Sequence, residues 1–193
     1  MPRTVDPVRL TQRRSLILAA AYRQFATSGY ERTTTASICS EAGIASGTFF
    51  HYFPTKLAVF VMLLHANADS TTQHLERISQ FDRGLPAILD HVREVERERA
   101  TEHSVGFANA IAGVAHLPEV AAAVNENASS IDDFLRGHLE AASVQGDIRS
   151  DVAPAQLAAW TRWLLDGAAR DPIGATPPAG TLIQAVQTLL TSR

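Results

Sequence analysis

The sequence predicts an all-α protein of about nine helices, and three observations carry that prediction. Apolar residues recur at spacings of three and four along nearly the whole chain, the period of a helix with one face turned inward. No run of β-branched residues alternates with polar ones for long enough to make a strand. Breakers then separate the periodic segments: Gly29, Gly43, Pro54, the stretch FDRGLP at 81–86, His116-Leu117-Pro118, Gly146-Asp147 and DPIGATPPAG at 171–180.

A first helix is expected from about Thr11 to Ser28, with Leu18, Ala21 and Phe25 on one stripe and Gly29 placed for a left-handed C-terminal cap. Thr33-Thr34-Thr35 offers N-caps for a second helix that reaches about Ala42 and ends at Gly43. The stretch GIASGTFFHYFPTK, 43–56, holds a very short third helix with four aromatics, too apolar for a loop and too short to stand alone. Thr55 caps a fourth helix that runs unbroken to about Gln80, some 25 residues or roughly 38 Å at ~1.5 Å per residue. Further helices are expected at about 86–100, 102–114, 118–144, 154–169 and 180–191, with no internal repeat and no low-complexity tract.

With 193 residues and 46% apolar composition the chain can bury a sizeable core and is expected to be soluble. Its longest apolar run, LAVFVMLL at 57–64, falls far short of the ~18–20 residues of a membrane span. The start, MPRTVDPVRLTQRR, has basic residues with no apolar segment after them, so no signal peptide is expected and a cytoplasmic location is the default. The single Cys39 permits no intrachain disulfide and no thiolate cluster, and its neighbours mark it as a small buried hydrophobe.

The net charge of −3 hides a polarity along the chain. Residues 1–60 carry seven basic groups (Arg3, Arg9, Arg13, Arg14, Arg23, Arg32, Lys56) against three acidic ones; residues 61–193 carry ten against seventeen. A basic head joined to an acidic body points to a polyanionic partner for the head. Its second helix, glycine turn and third helix have the spacing of a helix-turn-helix, in which the first helix braces the second in the major groove. On a helical wheel Phe49 and Phe53 face inward with Ile38, Ala42 and Ile44, while Gly47, Thr48 and His51 face away and Phe50 and Tyr52 flank them. Gly47 permits close approach, and Thr48 offers a hydroxyl and a methyl to base edges or phosphates. Lys56, the only lysine, begins the fourth helix, where the macrodipole disfavours a cation unless something offsets it; a bound phosphate would. A purely structural head with a wet polar face is the alternative.

The stretch LILAAAYRQFATSGYERTTTASICSEAGIASGTFFHYFPTKLAVF, 16–60, resembles the N-terminal domain of TetR-family transcriptional repressors. Ala-Ala, Phe, Gly-Tyr, Thr-Thr, Ala-Gly, Gly-Thr-aromatic, His and Lys follow one another without gaps, and the total length is also similar. The resemblance implies a helix-turn-helix DNA-binding domain at 1–56 and a helical ligand-binding and dimerisation domain at 57–193. It implies that Thr34 and Thr35 touch a phosphate strand, that Ser46, Gly47 and Thr48 approach bases, and that Phe50, His51, Tyr52 and Lys56 line the backbone side. Five positions depart from the family pattern, among them Ser46, which stands where a longer polar or basic residue is frequent. Ala45 stands where a serine usually caps the third helix; if the cap moves to Ser46, that residue loses its base contact. Phe50 replaces a tyrosine whose hydroxyl commonly reaches a phosphate. Ala36 and Ser37 are smaller than the charged residues often found in the second helix. Phosphate contacts, helped by Arg3, Arg9, Arg13 and Arg14, are therefore expected to supply much of the affinity, with a steep salt dependence.

For the body, the resemblance implies an enclosed small-molecule pocket and a homodimer built through the last two helices. Both helices carry wide apolar surfaces: Leu157, Trp160, Leu164 and Ala168 with Trp163 and Leu165 beside them, then Leu182, Val186 and Leu189 with Ile183 and Leu190. Residues 103–118, HSVGFANAIAGVAHLP, lack Asp, Glu, Lys and Arg and have the composition of a pocket wall or of a plain core helix. The candidate effector residues are His103, Phe107, Asn109 and His116, with Phe60, His65, His91, Trp160 and Trp163 behind them. The seven histidines form no i,i+4 pair and have no cysteine near them, so no metal site is expected. No phosphate loop, nucleophile elbow or paired carboxylate appears, so no cofactor is implied and an enzyme reading lacks a chemical centre. The expected function is a ligand-responsive repressor of a palindromic double-stranded DNA operator; the other class left open is an all-α ligand-binding protein or enzyme with a structural head.

Overall fold

The computed structural model describes residues 7–101, 103–169 and 180–192, with the backbone alone at 7–9. Among them lie nine helices and no strand: α1 Pro7–Arg32, α2 Thr35–Ala42, α3 Ser46–Tyr52, α4 Lys56–Phe81, α5 Leu85–Arg99, α6 Ser104–Val114, α7 Pro118–Gln145, α8 Pro154–Ala169 and α9 Thr181–Thr191. The all-α class and the order of elements are as expected. Arg3, the Arg9 side chain and most of the loop at 171–180 lie outside the described residues.

Local capping chemistry sets both ends of α2 and the start of α4. Thr34 Oγ1 accepts from the Ser37 amide at 3.0 Å while Ser37 Oγ accepts from the Thr34 amide at 3.2 Å, a reciprocal box that starts α2. Gly43 ends α2 at φ 62°, ψ 38°, a left-handed conformation in which glycine carries no Cβ penalty. Thr55 Oγ1 accepts from the Ala58 amide at 3.0 Å and starts α4. The α9 cap comes instead from a distant residue: Glu96 on α5 accepts from the amides of Leu182 at 2.8 Å and Ile183 at 3.3 Å, placing a carboxylate at the positive helix end.

Two local expectations are corrected. Gly29 does not form a left-handed cap; at φ 75°, ψ 167° it kinks α1, which continues to Arg32. The kink swings Tyr30 onto Phe25, with ring centroids 5.7 Å apart, and edge-on to Phe60 at 5.0 Å, so aromatic packing outweighs helix termination there. The α3 cap does not move to Ser46 either. Ala45 is the N-cap with no side-chain bond, and Ser46 is the first helical residue.

The apolar interior is organised as two cores. The first joins Ile17, Ala21 and Phe25 of α1, Ile38 of α2 and Phe49 of α3 to Val59, Phe60 and Leu64 of α4, Phe107, Ala110 and Val114 of α6, and Val120 and Ala123 of α7. The second holds Leu75 and Ile78 of α4 with Ile88 and Val92 of α5, Leu135 and Leu139 of α7, Leu157 and Leu165 of α8, and Val186 and Leu190 of α9. Helices α4 and α7 thus run through both cores. The aromatic side chains of α1 reach across to the body, Tyr22 onto Phe107 of α6 and Phe25 and Tyr30 onto Phe60 of α4, at roughly 1.5–3 kcal/mol per fully buried large side chain. Closest of all is α6 on α1: a Cβ at Gly106 would lie 2.0 Å from the Ala26 carbonyl oxygen, so only glycine permits this approach.

Candidate nucleic-acid interface and body cavity

Ile38, Phe49 and Phe53 are buried and fix α2 and α3 to the head core, which decides what α3 leaves outside. Ser46, Gly47 and His51 are exposed and Thr48 is half-exposed. No atom lies within 4 Å of the position a Gly47 Cβ would take, so the start of α3 presents open backbone. Phe50 is 52% exposed and stands edge-on to Phe49, with centroids 5.4 Å apart. Tyr52 is half-buried, edge-on to His51 at 5.2 Å. Thr34 is exposed with its hydroxyl oxygen engaged in the α2 cap, and Thr35 is half-buried. Arg23 donates to Glu41 at 2.7 Å and ties α1 to α2; that hydrogen bond holds the Glu41 carboxyl below the usual carboxylate range. Arg14 is exposed at the edge of the head, its guanidinium 5.9 Å from the Phe53 ring centroid.

Lys56 answers the question its position raised. Its Nζ donates to the carbonyl oxygens of Tyr30 at 2.8 Å and Thr33 at 3.0 Å and sits 4.1 Å from the Tyr30 ring centroid. The cation is badly placed for the start of α4 but well placed for the carbonyl end of α1. The offset is therefore internal, and it locks α1, the Thr33–Thr34 link and α4 together. One of the three ammonium N–H groups remains for an anion. Lys56→Ala is expected to lower head stability by ~2–3 kcal/mol through the lost charge-assisted bonds, seen in thermal unfolding. It should also weaken DNA binding, with the slope of log affinity against log salt falling by about 0.9 for one lost phosphate contact. An unchanged slope would leave Lys56 as a clamp only.

The candidate effector residues do not gather around one cavity, although Phe60 and Phe107 pack on one another. Phe60 is fully buried in the first core; Phe107 packs on Tyr22 at 4.8 Å and on Phe60 at 5.6 Å. His103 is half-buried near Tyr22, Asn109 lines a shallow groove beside Gly29 and Tyr30, and His116 is exposed. The small uncharged residues of 103–118 pack α6 closely on α1 at Gly106, and Gly106, Asn109, Ala110, Gly113 and Val114 line the groove beside Gly29 and Tyr30. His65 pairs with Glu126 at 3.0 Å. Trp160 is half-buried, and Trp163 is 69% exposed on α8.

His91 is different. It is 3% exposed, neither ring nitrogen has a partner, and it lines a cavity of about 350 Å³ between α4 and α5 with His74, whose Nε2 is equally unpartnered. An unpaired buried polar group costs ~1–3 kcal/mol, so this arrangement is not explained by folding alone. His74 was not singled out in the sequence, because α4 and α5 must pack before the two rings can meet; its nearest sequence signal is Arg77 one turn on. Burial, then the neighbouring His74 and Arg162, push the His91 imidazole down to about 4. As pH falls below the ordinary value near 6.5, the unfolded chain takes up a proton that folded His91 does not. Stability is therefore expected to drop by about 3 kcal/mol between pH 6.5 and pH 4 from this group. Urea unfolding across that range should show His91→Gln losing less than the wild-type chain.

Residues 17–63 match the model of the bacterial regulatory proteins of the tetR family. The HTH-type transcriptional regulator UidR of Escherichia coli K12 is 25% identical over 157 residues, covering 79% of this chain and 76% of that protein. Among solved structures, a TetR-family transcriptional regulator from Agrobacterium tumefaciens superposes with a TM-score of 0.82 at 18% identity, over 94% of this chain and 99% of the other. The regulator FadR from Bacillus subtilis, in complex with stearoyl-CoA, superposes with a TM-score of 0.67 at 20% identity, over 92% of this chain and 97% of the other.

Proposed function

For a chain that belongs to the TetR family of transcriptional regulators, we propose the role of a cytoplasmic, homodimeric repressor that leaves a palindromic operator when a small molecule binds its body. The observation that carries the reading is the open start of α3, where Ser46 and Gly47 stand exposed on a helix whose other face is fastened by Phe49 and Phe53. In this proposal residues 1–56 bind DNA, with Thr34, Thr35, Phe50, His51, Tyr52 and Lys56 on phosphates and Ser46, Gly47 and Thr48 toward bases. Residues 57–193 bind the effector and dimerise through α8 and α9.

Two connections support transmission. Helix α4 starts at the Lys56 clamp and forms one wall of the body cavity, and α6 touches the α1 backbone at Gly106. A shift of either moves the head, and two recognition helices then fail to match successive major grooves about 34–36 Å apart. A coupling of ~1–3 kcal/mol corresponds to operator binding some 5- to 150-fold weaker, with the effector weakened equally by DNA. The cavity wall is mostly polar, which does not favour a long acyl chain like the one in the FadR complex. Gel retardation with DNA flanking the protein's own gene tests the reading; a folded dimer that retards none of it at low salt overturns it.

A further inference from the structure

His74 and His91 stand in the wall of the α4–α5 cavity with ring centroids 5.9 Å apart. Arg77 Nη2 lies 2.8 Å from His74 Nδ1, and a guanidinium can only donate, so Nδ1 accepts and the ring proton sits on Nε2. His74 therefore holds a buried N–H donor with no acceptor. Neutral His91 holds one donor and one acceptor, both without partners, in a ring packed edge-on against Phe134 at 5.6 Å. Leaving three such atoms unpaired is costly, and a ligand that pairs all of them recovers that cost.

The rest of the wall restricts the ligand's chemistry. Ser70, Thr71 and Gln73 each donate and accept, and Val95 is the one aliphatic hydrocarbon side chain among the lining residues. Glu94 is ion-paired with Arg97, and Glu98 and Arg77 offset one another, so the wall carries no excess charge to draw in an anion or a cation. Arg77 in turn already lies on His74, which opposes a cation at the histidines. No group of three or more His, Cys, Asp or Glu side chains that could hold a metal ion occurs among the described residues. Alternating donors and acceptors match hydroxyl groups, which do both. We propose that this cavity binds a small neutral polyhydroxylated molecule, a sugar or sugar alcohol, whose hydroxyls pair with the polar side chains of the wall and with the His74 and His91 rings as these turn toward it. About 350 Å³ is near the lower end of the ~300–1,000 Å³ range of small-molecule sites and suits a monosaccharide. That this molecule is the effector rests on the repressor reading; that it binds here does not.

The test is calorimetric titration of the full-length protein with methyl pentosides, methyl hexosides and alditols, with alkanoates and tetraalkylammonium salts as the contrast. At least one neutral polyol is expected to bind the wild type. His91→Phe, which removes both nitrogens, is expected to weaken it at least tenfold, and His91→Gln, which keeps a donor and an acceptor, less. If His91→Phe fails to fold, Thr71→Val on the same wall replaces it, with weakened binding again expected. The proposal is overturned if no neutral polyol binds, if only alkanoates or ammonium ions do, or if the folded variant binds as tightly as wild type. Retention of operator by the unliganded protein is measured beside it. Polyol binding without DNA retention rejects the repressor reading and leaves the cavity assignment; DNA retention without polyol binding rejects the cavity assignment alone.

Discussion

In the proposed homodimer, Trp163→Glu is expected to leave the protein monomeric and to weaken operator binding by about 100-fold or more. Helix α8 turns Leu157, Thr161 and Leu165 into the second core, so its inward face is already occupied. On the outside remain Trp163, 69% exposed, and Leu164, with Ala159 and Gly167 along the same side of the helix. A tryptophan flanked by small residues on a free helix face has the form of an interface anchor, and truncating such anchors typically costs ~2 kcal/mol or more. A carboxylate in its place adds an unpaired buried charge in the dimer. Two half-sites bound by one dimer gain ~10²–10⁴ in affinity from effective concentration, and a monomer loses that gain. Sedimentation equilibrium and operator titration measure the two effects. A Trp163→Glu protein that stays dimeric would move the interface off this face of α8.

Gly106→Ala is the second large expectation, and it acts outside both α3 and the α4–α5 cavity. The added Cβ would meet the Ala26 carbonyl oxygen at 2.0 Å and its carbon at 2.9 Å, both backbone atoms that cannot rotate away. Helices α1 and α6 must separate, opening the first core around Phe107 and Ala110. Overpacking of this kind costs about 1–3 kcal/mol and occasionally more, and here the upper end is expected because the obstacle is a helix backbone. Thermal unfolding should show the loss. If α6 transmits the effector signal, the ratio of operator affinities with and without effector should shrink more than either affinity alone. Gly113→Ala on the same helix, where nothing lies within 4 Å, is the matched control and should change little.

The helices themselves were legible because their signals are local. The threonine caps of α2 and α4, the glycine after α2 and the inward pair Phe49 and Phe53 all act within one or two turns, so periodicity and capping rules recover them. Gly29 misled because a positive φ serves a cap or a kink equally, and the aromatic cluster around Phe25 and Phe60 that chose the kink is assembled from distant segments. The effector candidates scattered for a related reason. Composition alone does not distinguish a small-residue helix that lines a pocket from one that lies tight against a neighbour.

By itself the sequence determined the all-α class, a helix-turn-helix within residues 1–56, and a basic head on an acidic body. Spacing, capping and charge are properties of neighbouring residues. Only the tertiary structure decided where Lys56 spends its charge, which glycine lets α6 touch α1, and which histidines meet. Each of these depends on two helices brought together by burial of apolar surface, and no run of adjacent residues encodes the distance between their atoms.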